Sequence, residues 1–154
     1  KGLKAFSRNY TSTLFDKEGY EENLHLNLFD GFENTQSYLN FMDSFFGSVD
    51  ANDLLGMLNT WQMGDIGKHE KFNNNTKEAL SHIKCLALVM PSATDLSFPA
   101  RNNIPEVKEM PNAELKVINT KYGHLVGGMS TALSSEEDVT FIDKNIKEFL
   151  KKID

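Results

Sequence analysis

The sequence predicts an α/β fold, a parallel sheet with flanking helices preceded by a helical region. Residues 86–90 read Leu-Ala-Leu-Val-Met and are then stopped by Pro91. A strand without polar alternation has both faces covered, as in a parallel sheet between helices. A second strand is expected around Leu115, Lys116, Val117 and Ile118, after a weak helix over residues 99–110 that Pro105 interrupts. Before these, Tyr38, Phe41, Met42 and Phe45 recur at i, i+3, i+4 and i+7, the spacing of an amphipathic helix. Strand, helix, strand and helix in alternation define the α/β class.

Composition narrows the function classes. The chain has 154 residues, a net charge of −6, 40% hydrophobic residues and eleven Phe, which suits one domain or part of a larger one. An acidic balance without a basic patch excludes a nucleic-acid surface. No apolar run reaches the roughly 18 residues of a membrane span. The start, Lys-Gly-Leu-Lys-Ala-Phe-Ser-Arg, is not read as a secretory signal, because no apolar stretch follows its charges. The triplets Asn9-Tyr-Thr and Asn74-Asn-Thr are therefore not expected to carry glycans. Cys85 is the single cysteine, so no disulfide framework exists. These features point to a reducing, cytoplasmic setting, with the mitochondrial matrix left open.

Taken in order, residues 1–30 scatter apolar groups without a long period and are expected to form short helices and loops. The helix through Tyr38 has Asn34 or Thr35 as its cap and Gly47 at its end. A second helix follows, with Asp50 as cap and Asp53 in its first turn. Its face comprises Leu54, Leu55, Leu58, Trp61 and Gln62, and Gly64 ends it. Residues 1–66 thus form a helical region and 67–76 a polar, Asn-rich linker. Residues 77–154 form the sheet-bearing part, beginning with a helix that Thr76 caps. Ser134 and Glu137 fit a capping box for a last helix, whose face is traced by Val139, Ile142, Ile146, Phe149, Leu150 and Ile153.

Two polar residues stand just past the predicted strands, Asp95 and His124. Ligands of open α/β sheets bind beyond the carboxyl ends of the strands. If the strands are parallel neighbours, both side chains reach the same rim. A carboxylate accepting from one imidazole nitrogen fixes the tautomer and leaves the other free to take a proton from a hydroxyl or thiol. The order Asp then His is the latter part of the Ser, Asp, His order of α/β-hydrolases. The nucleophile is not visible. Gly47-Ser48 follows a helix, and Gly128-Met-Ser-Thr-Ala132 follows His124 with no strand before it. Cys85, expected at the start of a buried strand, is expected to be inert. His25, His69 and His82 lack metal-ligand spacing and are read as surface residues. Two strands alone leave paired and covered backbone incomplete. The chain is therefore read as the C-terminal part of a longer polypeptide or one piece of a divided one.

Three stretches carry a resemblance. Asp50 to Ile66 (DANDLLGMLNTWQMGDI), Ile83 to Pro99 (IKCLALVMPSATDLSFP) and Val107 to Ile118 with the later Gly123-His124 resemble motifs of the homoserine O-acetyltransferase family of the α/β-hydrolase superfamily. The resemblance implies the C-terminal part of an α/β-hydrolase fold preceded by a helical lid. It implies Asp95 as triad acid, His124 as triad base, and a serine supplied by the missing N-terminal half of the fold. It also implies acetyl-CoA or another acyl-CoA as co-substrate, an alcohol as acceptor, and a homodimer joined through lid helices. Trp61, Gln62 and Leu125 are the candidate substrate-binding residues, with Trp61 also expected in the core. Leu125 is a departure. Homoserine acetyltransferases tend to carry an acidic residue after this histidine, suited to an ammonium group. Three readings follow: acyl transfer to an alcohol, carboxylic ester hydrolysis with the same triad, and a non-catalytic interaction module.

Overall fold

A computed structural model describes residues 1–29, 31–128 and 133–153. Most of the Gly128–Ala132 stretch weighed above as a nucleophile turn therefore lies outside the described residues. The elements run α1 (Gly2–Thr11), α2 (Lys17–Glu21), α3 (Thr35–Gly47), α4 (Ala51–Met63), α5 (Thr76–Ser81), β1 (Ala87–Val89), α6 (Ala100–Glu109), β2 (Ala113–Leu115) and α7 (Glu136–Leu150). Short 3-10 turns occupy Leu24–Asn27, Glu70–Phe72 and Gly123–Leu125.

The helical region carries the core. Asn34 caps α3, its side chain accepting from the Ser37 amide at 3.0 Å while Ser37 Oγ accepts from the Asn34 amide at 3.2 Å. Asp50 caps α4 by accepting from the Asn52 amide at 2.7 Å. Gly47 does not take the left-handed end position; it is the last residue of α3, and Ser48 follows with helical angles. Helix α1 lies on α3 through Phe6 and Tyr10, whose rings meet Phe46 at 5.1 and 5.5 Å. Arg8 adds a two-pronged pair with Asp43, at 3.0 and 2.6 Å. That guanidinium holds the Asp43 carboxyl below its usual range, chiefly by hydrogen bonding. Leu14, Phe15, Leu28, Tyr38, Met42 and Phe46 form the buried cluster. Residues 1–30, which lack a clean period, thus supply half of it.

One reading needs correction here. His25 is not a surface residue; it is 2% exposed. Its ring packs among Tyr20, Tyr38 and Phe15, and its Nε2 lies 3.0 Å from Thr35 Oγ1. A single histidine carries no periodic signal, so its burial depends on aromatic neighbours that the fold assembles.

The sheet is parallel, with Ala87 opposite Ala113, Leu88 opposite Glu114 and Val89 opposite Leu115. Pairing continues past both strands, with the Lys116 amide donating to Val89 O and the Ile118 amide to Pro91 O, each at 2.9 Å. Both strands are half-buried rather than fully covered. Each has one open edge in a two-stranded sheet, and α6 packs against β2 and α5. Cys85 precedes β1 and is exposed, not buried. Helix α5 is capped by Asn75, whose side chain accepts from the Glu78 amide at 3.1 Å, and not by Thr76.

Helix α7 is capped one residue later than expected. Ser135 Oγ accepts from the Asp138 amide at 3.1 Å, and Asp138 accepts from the Ser135 amide at 2.9 Å. The register is set by Asp138, whose carboxylate also receives Thr120 Oγ1 at 2.8 Å. The buried side of α7 accordingly bears Asp138 and Asn145, while Val139, Ile146, Leu150 and Ile153 of the expected core face are exposed. Among the described residues no helix is long and apolar enough to cross a membrane.

Burial holds the His25 imidazole below its ordinary pKa. The unfolded chain therefore binds a proton there more readily than the folded one. This contribution to stability is complete above about pH 6.5 and is lost as pH falls from there toward the folded value. The unfolding midpoint is expected to drop between pH 7.5 and 5.5, and His25→Gln to flatten that drop; equal slopes for both proteins, read by circular dichroism, would remove His25 as the cause.

Candidate active site

The loops leaving β1 and β2 are laced together. Ser92 bridges Ile118 in parallel register, the Ala93 amide donates to Ile118 O at 2.8 Å, and Thr94 Oγ1 donates to Thr120 O at 2.8 Å. This lacing brings Asp95 and His124 to one rim. Asp95 is folded back on its own loop, where Oδ1 accepts from the amides of Ser97 and Phe98 at 2.7 and 2.9 Å. Such an Asx turn is what a short carboxylate forms with backbone two and three residues on. The other oxygen, Oδ2, lies 3.0 Å from His124 Nδ1.

The histidine loop is fixed from both sides. The Tyr122 amide donates to Thr120 Oγ1 at 3.1 Å, and Lys121 pairs with Glu22. Gly123 has φ +54, and a Cβ there would stand 2.7 Å from Leu14 O. The His124 amide donates to that same carbonyl at 2.9 Å. Only glycine adopts this angle at little cost and leaves room for the approach.

Burial sharpens the pair. The side chains of Asp95 and His124 are 10% and 23% exposed. Tyr10 meets the imidazole edge-on at 6.4 Å, and Phe98 lies beside it at 5.5 Å with planes 32° apart. Tyr10 has its phenol pKa raised, first by burial and then by the Asp95 charge. In such partly dry surroundings a carboxylate–imidazole bond is stronger than in water. The Asp95 carboxylate selects the tautomer with the proton on Nδ1, which leaves Nε2 as the basic nitrogen. Among the described residues no hydrogen bond reaches Nε2.

A recess of about 310 Å³ opens at this pair, lined by Val89, Met90, Phe98, Asn103 and Val126 besides Asp95 and His124. Ser92 also borders it, but its hydroxyl is engaged with Thr94 and makes no bond to His124. A larger recess of about 660 Å³ is walled by Asp16, Glu18, Glu22 and Glu137 and includes neither Asp95 nor His124. The smaller one is the recess that contains the Asp95–His124 pair.

The other expected site residues fare differently. Trp61 is not core; it is 58% exposed and meets Phe98 at 6.2 Å, in a T-shaped contact. Because Phe98 in turn lies beside His124, Trp61 stands at the outer end of a line of three rings. Gln62 is exposed and does not line the His124 recess. Leu125 packs against the helical core and does not line it either. Tyr10 and Phe98, which do frame the imidazole, gave no sign in the sequence, since no spacing links them to His124.

This geometry has the fold of the C-terminal part of an α/β-hydrolase, with the two parallel strands and preceding helices in that order. No protein-family model matches the chain. It is 34% identical over 151 residues to a probable esterase of Corynebacterium glutamicum, covering 97% of this chain and 41% of that protein. It is 32% identical over 125 residues to an ethyl acetate hydrolase of Pseudomonas veronii, covering 80% and 35% respectively. Among solved structures, an acetylester hydrolase from Corynebacterium glutamicum matches with a TM-score of 0.80 at 32% identity. A homoserine O-acetyltransferase from Bacillus anthracis matches at 0.68 and 26%. Each of these two alignments covers 97% of this chain and 41% of the other. The chain therefore spans about two fifths of the length of its relatives, and those relatives are esterases. The homoserine acetyltransferase likeness is the more distant one.

Replacing Gly123 by Ala imposes the left-handed strain and a clash with Leu14 O. A loss of about 1–3 kcal/mol in folding stability is expected. The downfield Nδ1–H proton signal of the His124–Asp95 pair should vanish with it; a variant with unchanged stability and signal would show that the loop has another support.

Proposed function

We propose that this chain supplies the acid and the base of a serine-dependent carboxylic ester hydrolase. The observation that carries this reading is the 3.0 Å Asp95–His124 pair just past the ends of adjacent parallel strands, with both residues lining one recess. The esterase relatives support it.

On this reading the residues take the following roles. A serine from the part of the fold outside this chain gives its hydroxyl proton to His124 Nε2 as its oxygen attacks the ester carbonyl. Asp95 stays ionised, holds the imidazole in place and stabilises the imidazolium. The protonated Nε2 then returns the proton to the departing alkoxide, so an alcohol leaves and an acyl-serine remains. Water repeats the sequence, its proton passing through Nε2 to the serine oxygen, and a carboxylic acid is released. The two backbone amides on Asp95 Oδ1 hold the carboxylate in position facing the imidazole.

Acyl transfer is the second reading, supported by the homoserine O-acetyltransferase structure. The same pair would then activate an alcohol instead of water, with acetyl-CoA or another acyl-CoA as donor. Leu125 packs in the core where an acidic residue would suit an ammonium-bearing acceptor. This favours water, or an uncharged alcohol, as acceptor.

In the complete protein, Asp95→Asn is expected to retain the fold and to lower kcat on a simple ester by roughly 10⁴-fold. A near-normal rate would refute the acid's role. Offering alcohols alongside the ester separates the two reactions: free acid alone is expected, and substantial new ester would favour transfer.

A further inference from the structure

A third recess, of about 240 Å³, lies among α1, α3 and α4, and its walls include Tyr10, Phe45, Phe46, Leu54, Met57 and Trp61. No charged side chain lines it. Two of its walls lead to the imidazole. Tyr10 meets the His124 ring edge-on at 6.4 Å. Trp61 touches Phe98, which lies beside His124 at 5.5 Å. Helix α4 contributes no buried residue, and Phe45, Met57 and Trp61 are exposed at this recess.

We propose that this aromatic recess binds the apolar alkyl or aryl substituent of the ester whose carbonyl reacts at His124, making the substrates esters of uncharged, apolar groups. The inference rests on the ester-hydrolase reading. An ester places one polar carbonyl between two substituents, so a base and an uncharged recess on neighbouring sides of Tyr10 match its two ends. A zwitterionic amino-acid alcohol would lose its hydration here without a partner for either charge. The space equals the liquid volume of roughly eight waters, at about 30 Å³ each, enough for a short chain and not for a long lipid tail.

Two readouts on the complete protein test this. The first is kcat/KM over two ester series, one lengthening the alkoxy group of an acetate and one lengthening the acyl group of a methyl ester. One series is expected to rise roughly three- to fourfold per methylene until the recess is full. Met57→Trp should cut the ratio of hexyl to methyl substrate at least tenfold. The second is the methyl signal of Met57 in methionine-labelled protein, assigned with Met57→Leu. It should shift saturably with 1-hexanol and not with homoserine. Flat series together with an unmoved Met57 signal overturn the inference while leaving the hydrolase reading intact, as when another part of the protein fills the recess. No turnover of any ester, with a saturable Met57 shift, defeats the hydrolase reading and leaves the apolar site standing.

Discussion

The Leu14 carbonyl receives the His124 amide at 2.9 Å, at a point where Gly123 leaves no Cβ in the way. Through this contact the position of the histidine loop depends on the helical region. Leu14 and Phe15 are buried against Tyr38, Met42 and Phe46, and burying a side chain such as Phe15 contributes roughly 1.5–3 kcal/mol. Lys121 with Glu22 and Ser97 with Thr13 add further ties between the sheet-side loops and that region. Thr120 extends the same arrangement in the opposite direction, giving its hydroxyl to Asp138 at the start of α7. The rim that bears the acid–base pair is thus clamped between two separate packing units.

The helices and the parallel strand pair were legible because periodicity and unbroken apolar runs report burial directly. α3 and α4 begin and end within a residue or two of their expected bounds. Asp95 and His124 were legible for a different reason: each stands just past a strand, on the rim where open α/β sheets bind ligands. What stayed hidden were long-range choices. His25 is enclosed by Phe15, Tyr20 and Tyr38, three residues drawn from different elements. The cap of α7 moved from Ser134 to Ser135 because Asp138 is held by Thr120, a partner 18 residues away. The α7 stripe shows a limit of periodicity, since it marks an apolar face without saying what lies against it.

The three stretches that resemble homoserine acetyltransferases lie in a fold that an acetylester hydrolase and a homoserine O-acetyltransferase both match over 97% of this chain. Leu125 is the position where this sequence departs from the acidic residue expected of homoserine acetyltransferases. Its side chain joins the apolar groups packed against the helical core. The stronger identity to esterases, 34% and 32% against 26% for the acetyltransferase structure, accords with that local difference.

Apart from its bond to His124, Asp95 is held by main-chain amides, those of Ser97 and Phe98. Every residue type except proline offers the same donor. The loop can therefore drift in sequence at both positions without releasing the carboxylate. Phe98, freed from any duty toward the acid, is open to change with the shape of whatever lies over the imidazole. The loop thereby separates what holds the Asp95 carboxylate from what shapes the surface beside it, so that surface can change while the Asp95–His124 pair keeps its place.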